Sequence, residues 1–333
     1  MLLRLGRAVS IAMLAWALLA LPAVANWKYF RAGNSEDSHA VPKAGFALMG
    51  GGGKQEAAFQ FLCERANGGD FLILRANTED DYAKQVNTEM LQACHLNSAA
   101  TIVFDDREDS SDSKLLDDIA HAESIFIAGG DQSNYVRFWQ DTPVQDALNR
   151  HIAAGKPIGG SSAGLAILGE FSFSSMIDTI HSPEALGDPY GNKVTLSRRF
   201  LNIPILQGVI TDTHFVKRDR MGRLLVFLAR ILQDGWTKQV RAIAVEENAA
   251  VLVEADGRTQ VVGSGPAYFL EATSRPNICA DGQPLTFANV SVHKAETGGR
   301  FDVREWQGPG GANYSLSVKA GQVTSDAASH SIY

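Results

Sequence analysis

Lys156-Pro-Ile-Gly-Gly-Ser-Ser-Ala-Gly-Leu-Ala-Ile-Leu168 reads as the end of a short strand, a Gly-rich corner and the start of an apolar helix. Gly160-Ser161-Ser162-Ala163-Gly164 inside it fits G-x-S-x-G, the pattern of a nucleophile elbow. The pattern has a steric origin. A serine at the tip of a tight strand-to-helix turn leaves no room for large side chains two positions to either side. The helix that follows directs free backbone N–H groups at the same point, where negative charge develops during acyl transfer. The same five residues also suit a plain β-α turn, so the surrounding chain has to decide between the two.

Outward from the elbow the chain alternates short apolar strands with amphipathic helices. Strands are expected at 45–49, 70–75, 100–104 and 124–128, with helices at 56–66, 82–94, 115–122, 133–139 and 144–154. This rhythm is that of a mostly parallel sheet covered on both faces, a three-layer α/β/α fold. Such sheets bind ligands at the carboxyl ends of their strands. Three Gly-rich or polar stretches fall at such ends: Gly50–Gly53, Gly129–Gln132 and Ser162. Gly50–Gly53 lacks the Gly-Lys-Ser/Thr ending of a phosphate loop, and reads as a turn whose backbone must come close to a ligand or a neighbouring strand. Beyond the elbow, 171–201 loses periodicity and reads as a long loop or lid. A strand is expected up to His214, an apolar helix over 224–232, a strand over 241–245 ending in Glu246-Glu247, another over 250–253, and a β-meander over 260–263 and 267–270. Residues 271–333 read as a small β-rich C-terminal extension, and 26–42 as a polar, irregular N-terminal arm.

Composition narrows the class. The chain has 333 residues, 45% hydrophobic and 20% charged, with a formal net charge of −7. That balance is globular and argues against nucleic acid as a partner. Residues 1–25 carry Arg4 and Arg7, an apolar run over 9–21 and Ala23-Val-Ala25 before Asn26. This is the layout of a cleavable signal peptide, so the protein is expected to be secreted or periplasmic, with no membrane attachment after cleavage. Three cysteines, Cys63, Cys94 and Cys279, leave at least one unpaired in a monomer, and none has zinc-site spacing.

A serine hydroxyl needs a base, and the base needs a third group to hold it. Of the eight histidines, His214 ends an apolar strand, inside Thr211-Asp-Thr-His-Phe215. His121 and His151 fall on helical segments and are expected at the surface, and His181 in the long loop is a reserve. Glu246 and Glu247 are candidate carboxylates, and Asp178 and Glu184 compete with them. Arg218, Arg220 and Arg223 form a cluster suited to a carboxylate or phosphate.

Five stretches in order carry a resemblance that covers the chain from about residue 43 to 270. They are Gly45-Phe-Ala-Leu-Met-Gly-Gly-Gly52, Ile127-Ala-Gly-Gly-Asp-Gln132, Gly159-Gly-Ser-Ser-Ala-Gly164, Asp212-Thr-His-Phe-Val-Lys-Arg-Asp-Arg-Met-Gly-Arg-Leu224 and Ala244-Val-Glu-Glu-Asn248. Together they resemble the cyanophycinase family of serine exopeptidases, relatives of the aspartyl dipeptidases with a class I glutamine amidotransferase-like fold. Those enzymes cleave a poly-aspartate chain bearing arginine on each side chain and release β-Asp-Arg dipeptides. The resemblance implies Ser162 as nucleophile, His214 as base and Glu247 as acid. It implies an oxyanion hole from the N–H groups of Gly130 and Ala163, and substrate contacts from Gln132, Asp212, Thr213, Arg218, Arg220 and Arg223. It implies a peptide or polymer substrate containing Asp and Arg, no cofactor and no metal, and it is compatible with a homodimer. The chain departs from the family pattern at Ser161, where Thr is usual, and at Thr213, where Gln is usual. An aspartyl dipeptidase, or a non-catalytic binding protein on the same scaffold, are the alternatives.

Overall fold

A computed structural model describes residues 27–53, 55–76 and 83–333. The expected signal segment lies outside the described residues. In chain order the elements are β1 (Lys28–Gly33), β2 (Gly45–Met49), α1 (Glu56–Ala66), β3 (Asp70–Arg75), α2 (Ala83–Cys94), β4 (Ser98–Val103), α3 (Ser113–His121), β5 (Ser124–Ile127), α4 (Gln132–Trp139), α5 (Pro143–Ala153), β6 (Ile158–Ser161) and α6 (Ala163–Ala166). They continue with β7 (Phe171–Phe173), α7 (Ser182–Gly187), β8 (Leu196–Arg198), β9 (Val209–Asp212), α8 (Met221–Gln233), β10 (Val240–Val245), β11 (Ala249–Glu254), β12 (Arg258–Gly263), β13 (Ala267–Ala272), β14 (Phe287–Ala295), β15 (Arg300–Asp302), β16 (Ala312–Lys319) and β17 (Gln322–Ser325).

Among these residues the strands form two sheets. The first runs β1-β4-β3-β5-β6-β2-β11-β12-β15 and the second β17-β16-β14-β13-β10-β9-β7-β8. In the first sheet β4, β3, β5, β6 and β2 are mutually parallel, and antiparallel strands close both sides of that core. The parallel strands are the continuous apolar runs expected of strands covered on both faces. Their alternate residues divide between two cores. Phe71 and Ile73 of β3 pack with Phe61, Leu62 and Met90 of α1 and α2. Leu72 and Leu74 pack on the opposite face with Leu115, Ile119, Trp139 and Leu148 of α3, α4 and α5. The second sheet shares that same core through Ile243 and Val245 of β10, while Ala242 and Ala244 face α8. Leu224, Leu225, Phe227, Leu228, Ile231 and Leu232 are all buried, so α8 is apolar around its circumference, as suits a fully covered helix.

Four sequence expectations change here. The N-terminal arm is partly a strand: Lys28 to Gly33 pair antiparallel with β4, protecting its edge. The stretch 171–201 is not a free loop. It carries β7, α7 and β8, and Phe171, Phe173, Ile180, Leu186 and Val194 lie in the core around α8. His151 is buried rather than superficial, its Nε2 3.0 Å from the Pro157 carbonyl, and burial pushes it down to about 4. Finally, residues 271–333 are continuous with both sheets. β14, β16 and β17 extend the second sheet beyond β13, and β15 joins the first beside β12.

Cys63 of α1 and Cys94 at the end of α2 form a disulfide, and Cys279 is free and buried. The bridge closes a loop of 31 residues, for which chain entropy predicts about 3–4 kcal/mol. Replacing both cysteines by alanine is therefore expected to lower stability by ~2–4 kcal/mol. Denaturant melts of the double variant and of the oxidised protein check this, and coincident curves contradict it.

Candidate active site

Ser162 follows β6 with φ 52° and ψ −113°, a conformation L-residues rarely adopt, and its residue serves as the N-cap of the one-turn helix α6. The turn is held tightly. Ser162 N–H donates to Met49 O at 3.1 Å. A Cβ at Gly160 would lie 2.5 Å from the Gly164 carbonyl carbon, and one at Gly164 would lie 2.1 Å from Ile127 O. Both glycines of the motif are thus required by backbone contacts. Thr211 Oγ1 donates to Leu165 O at 2.7 Å, tying α6 to β9 of the second sheet.

Ser162 Oγ lies 2.7 Å from His214 Nε2, and His214 Nδ1 lies 2.6 Å from Glu247 Oε1. The serine comes from the first sheet, whereas His214 follows β9 and Glu247 follows β10 in the second. The turn after β2 joins them. Gly50 O accepts from His214 N–H at 2.8 Å, Gly51 O accepts from Asn248 N–H at 2.8 Å, and Gly50 N–H donates to Ala249 O at 3.0 Å. Gly51 has φ +101°, and a Cβ there would stand 2.4 Å from His214 Cε1. The neighbour that this Gly-rich turn approaches is therefore the imidazole, and no phosphate is needed to explain it.

The two glutamates divide their work. Glu246 accepts from the N–H groups of Val216 and Lys217, shaping the turn between His214 and the arginines. Glu247 takes His214. The competing carboxylates pair with a lysine instead of the imidazole: Asp178 and Glu184 face Lys193 Nζ at 3.6 and 3.4 Å.

Around Ser162 opens a cleft of about 370 Å³, lined by Gly130, Asp131, Gln132, Arg137, Ile177, Asp178, Thr213, Arg218 and Arg220 among others. Gln132, Thr213, Arg218 and Arg220 line this cleft together with Ser162. Asp212 and Arg223 do not. Their side chains are almost wholly buried and paired with each other, Arg223 Nε donating to Asp212 Oδ2 at 2.9 Å and Nη2 to Oδ1. Arg223 also lies over Phe173 and Phe227. These two residues, expected to touch substrate, instead form an internal pair beneath the cleft. Asp212 lies 3.7 Å from Arg220, whose Nη1 donates to Thr213 O and Oγ1 at 2.9 Å each. Behind the same turn, Tyr333 from the C-terminal extension donates to Asp219 and accepts from Met221 N–H. Arg137 and Ile177 belong to no motif and reach the cleft through folding alone, and Asp131 joins them from within the Gly129–Gln132 motif without having been singled out by itself.

The model of peptidase family S51 matches residues 71–189, which include Ser162. A cyanophycinase from Synechococcus elongatus is 27% identical over 255 residues, 74% of each chain. One from Trichormus variabilis is 27% identical over 202 residues, 59% of this chain and 62% of that one. The chain is a serine-type peptidase, similar over residues 71–189 to family S51. For the fold, a crystal structure of a peptidase from an acI-B1 actinobacterium aligns with a TM-score of 0.54 at 16% identity, covering 79% of this chain and 98% of that one.

In this peptidase the charges around the imidazole act in opposite senses. Burial pulls His214 below the ordinary histidine range and Arg218 and Arg220 add to that, while the Glu247 hydrogen bond works against them. The bond to His214 in turn holds the Glu247 carboxyl below the usual range, helped by Arg218 and Lys217. Arg220, pulled down to about 10 by burial, stays charged at neutral pH.

Two predictions follow from the site's geometry and charge. In Gly51→Ala the added Cβ displaces the imidazole, so hydrolysis is expected to fall by about 10²-fold or more, as for a reacting group displaced by an ångström. Turnover assays beside circular dichroism test it, and unchanged turnover contradicts the packing argument. Because the neutral imidazole is the form that accepts a proton, a lowered His214 pKa keeps it competent to lower pH. The acid limb of kcat/KM is therefore expected below about 6.5. Arg218→Met removes a repelling cation and should move that limb upward. A limb above the ordinary histidine value, unmoved by Arg218→Met, would contradict this electrostatic account.

Proposed function

We propose that this peptidase is an exported exopeptidase that hydrolyses cyanophycin to β-Asp-Arg dipeptides through a Ser162–His214–Glu247 acyl-enzyme mechanism. The observation that carries the reading is the continuous hydrogen-bonded chain from Ser162 Oγ through the imidazole to Glu247. In this mechanism Ser162 Oγ attacks the scissile carbonyl carbon as its proton passes to His214 Nε2. Glu247 keeps Nδ1 protonated and offsets the charge of the imidazolium. The N–H groups of Ala163, at the first position of α6, and of Gly130 stabilise the oxyanion. His214 then protonates the leaving amine, the C–N bond breaks, and water activated by the same imidazole releases the acyl group.

The substrate assignment draws on the cyanophycinases among the relatives and on the charges lining the cleft. Arg218 is half exposed and Arg220 lies beside it, so a substrate carboxylate has two cations to meet. Export draws on the Cys63–Cys94 disulfide, a bond that persists in oxidising compartments.

Purified protein should degrade cyanophycin, with β-Asp-Arg as the product seen by mass spectrometry. Ser162→Ala should abolish turnover, and Glu247→Gln should lower kcat by about 10³–10⁴-fold, the scale for losing the group that orients a catalytic imidazole. Turnover of short Asp-X peptides with none of the polymer would favour a dipeptidase. Turnover that survives Ser162→Ala would remove the nucleophile assignment.

A further inference from the structure

A polymer unit of aspartate carrying arginine presents a guanidinium as well as carboxylates. The resemblance implies Asp212 as an acidic contact, but Asp212 is buried against Arg223 with Arg220 nearby. The negative pole of the cleft has to lie elsewhere. Two carboxylates line it, Asp131 and Asp178. Asp131 is the N-cap of α4, and its Oδ1 accepts from Ser133 N–H at 2.8 Å. Asp178 is 59% exposed, its Oδ1 accepts from Thr179 N–H at 2.7 Å, and its Oδ2 faces Lys193 Nζ at 3.6 Å. Lys193 is also 3.4 Å from Glu184. An exposed pair of this length is weak, and Lys193 keeps a second partner if Asp178 turns to a ligand.

The wall that carries Asp178 is fixed in place. Ser174 N–H and Met176 N–H donate to Thr195 O and Oγ1, each at 2.9 Å. Arg137 Nη2 donates to Met176 O at 2.7 Å, and Gln132 Nε2 donates to Phe173 O at 3.4 Å. A carboxylate on such a wall is preorganised for a cation. Beside it Ile177, 63% exposed, lines the same cleft. An exposed aliphatic side chain next to a carboxylate matches a long cationic side chain, whose methylenes need cover and whose head needs a counter-charge.

Building on the hydrolase reading above, we propose that Asp178 is the specificity residue for the cationic side chain of the substrate. Its carboxylate accepts from the guanidinium, Ile177 covers the methylenes, and Arg218 and Arg220 take a substrate carboxylate. Asp178 takes no part in proton transfer and acts on binding.

The test is steady-state kinetics on a short β-Asp-Arg oligomer and on the same oligomer with citrulline, a neutral isostere, in place of arginine. Asp178→Asn is expected to raise KM for the arginyl oligomer about tenfold or more, the scale of a charge-assisted hydrogen bond, with kcat within about twofold. The citrullinyl oligomer should show no matching rise. Asp178→Lys should reverse the preference, favouring an oligomer with glutamate in place of arginine. Equal loss on both oligomers, no change on either, or a loss confined to Asp131→Asn overturns the inference. A wild type that turns over the two oligomers with equal kcat/KM overturns it alone, and a wild type that turns over neither overturns the hydrolase reading with it.

Discussion

Backbone groups of Gly50 and Gly51 hold the two halves of the site against each other. The candidate nucleophile belongs to one sheet and its base and acid to the other, so no single sheet fixes their relative position. Met49 O accepts from Ser162, Gly50 O from His214 and Gly51 O from Asn248, the residue after Glu247. The segments that follow β6, β9 and β10 are thereby all positioned by the one short turn after β2. Its glycines permit the approach because a side chain at 51 would occupy the space of the imidazole. The chain itself makes a second link. It leaves the second sheet at the end of β10, passes through Glu246, Glu247 and Asn248, and enters the first sheet as β11. Glu247 thus sits on the crossover between layers, where both sheets restrict its movement.

Strain and charge are concentrated at the same place. Ser162 and His214 both have positive φ without being glycine. Each such residue costs on the order of 1–3 kcal/mol and persists where its surroundings over-determine it. Here the surroundings are the glycine turn on one side and the apolar cores of both sheets on the other. The buried Asp212–Arg223 pair belongs to this support. Breaking a buried pair leaves an uncompensated charge, which is why such pairs act as fixed points rather than as ligands for passing substrate. From that fixed point Arg220 reaches Thr213 and the cleft, so the arginines differ in role although three of them fall within six residues.

Much of this was legible along the chain, for definable reasons. The elbow, the strands of the parallel core and α8 announce themselves because burial on both faces imposes apolar runs, and the backbone contacts at Gly160 and Gly164 forbid side chains. His214 and Glu247 are visible as polar residues ending apolar strands. Burial of side chains that could equally face solvent is not visible in this way. His151 lies on a helix whose sequence looks amphipathic, and the carbonyl that satisfies it comes from Pro157, beyond the helix end. Asp212 and Arg223 look like neighbouring ligands in sequence, because eleven residues of separation say nothing about whether two charges face each other or a substrate. The second sheet was divided between a meander and an extension because its strands are gathered from 171 to 325, and pairing across such separations leaves no local pattern.

Glu247 and Asp178, two carboxylates that compete in the sequence, differ in how they are held. A carboxylate that orients an imidazole must be held to within a fraction of an ångström, and Glu247 is held by its place between two sheets and by the bond to His214. A carboxylate that greets a substrate has a different requirement: it must be reachable, and its resting partner must be easy to replace. Asp178 meets that second requirement, being exposed on a braced wall and facing a lysine that already has Glu184 beside it. Rigidity and accessibility are opposed demands on one side chain, and in this fold Glu247 meets the first and Asp178 the second, on different elements.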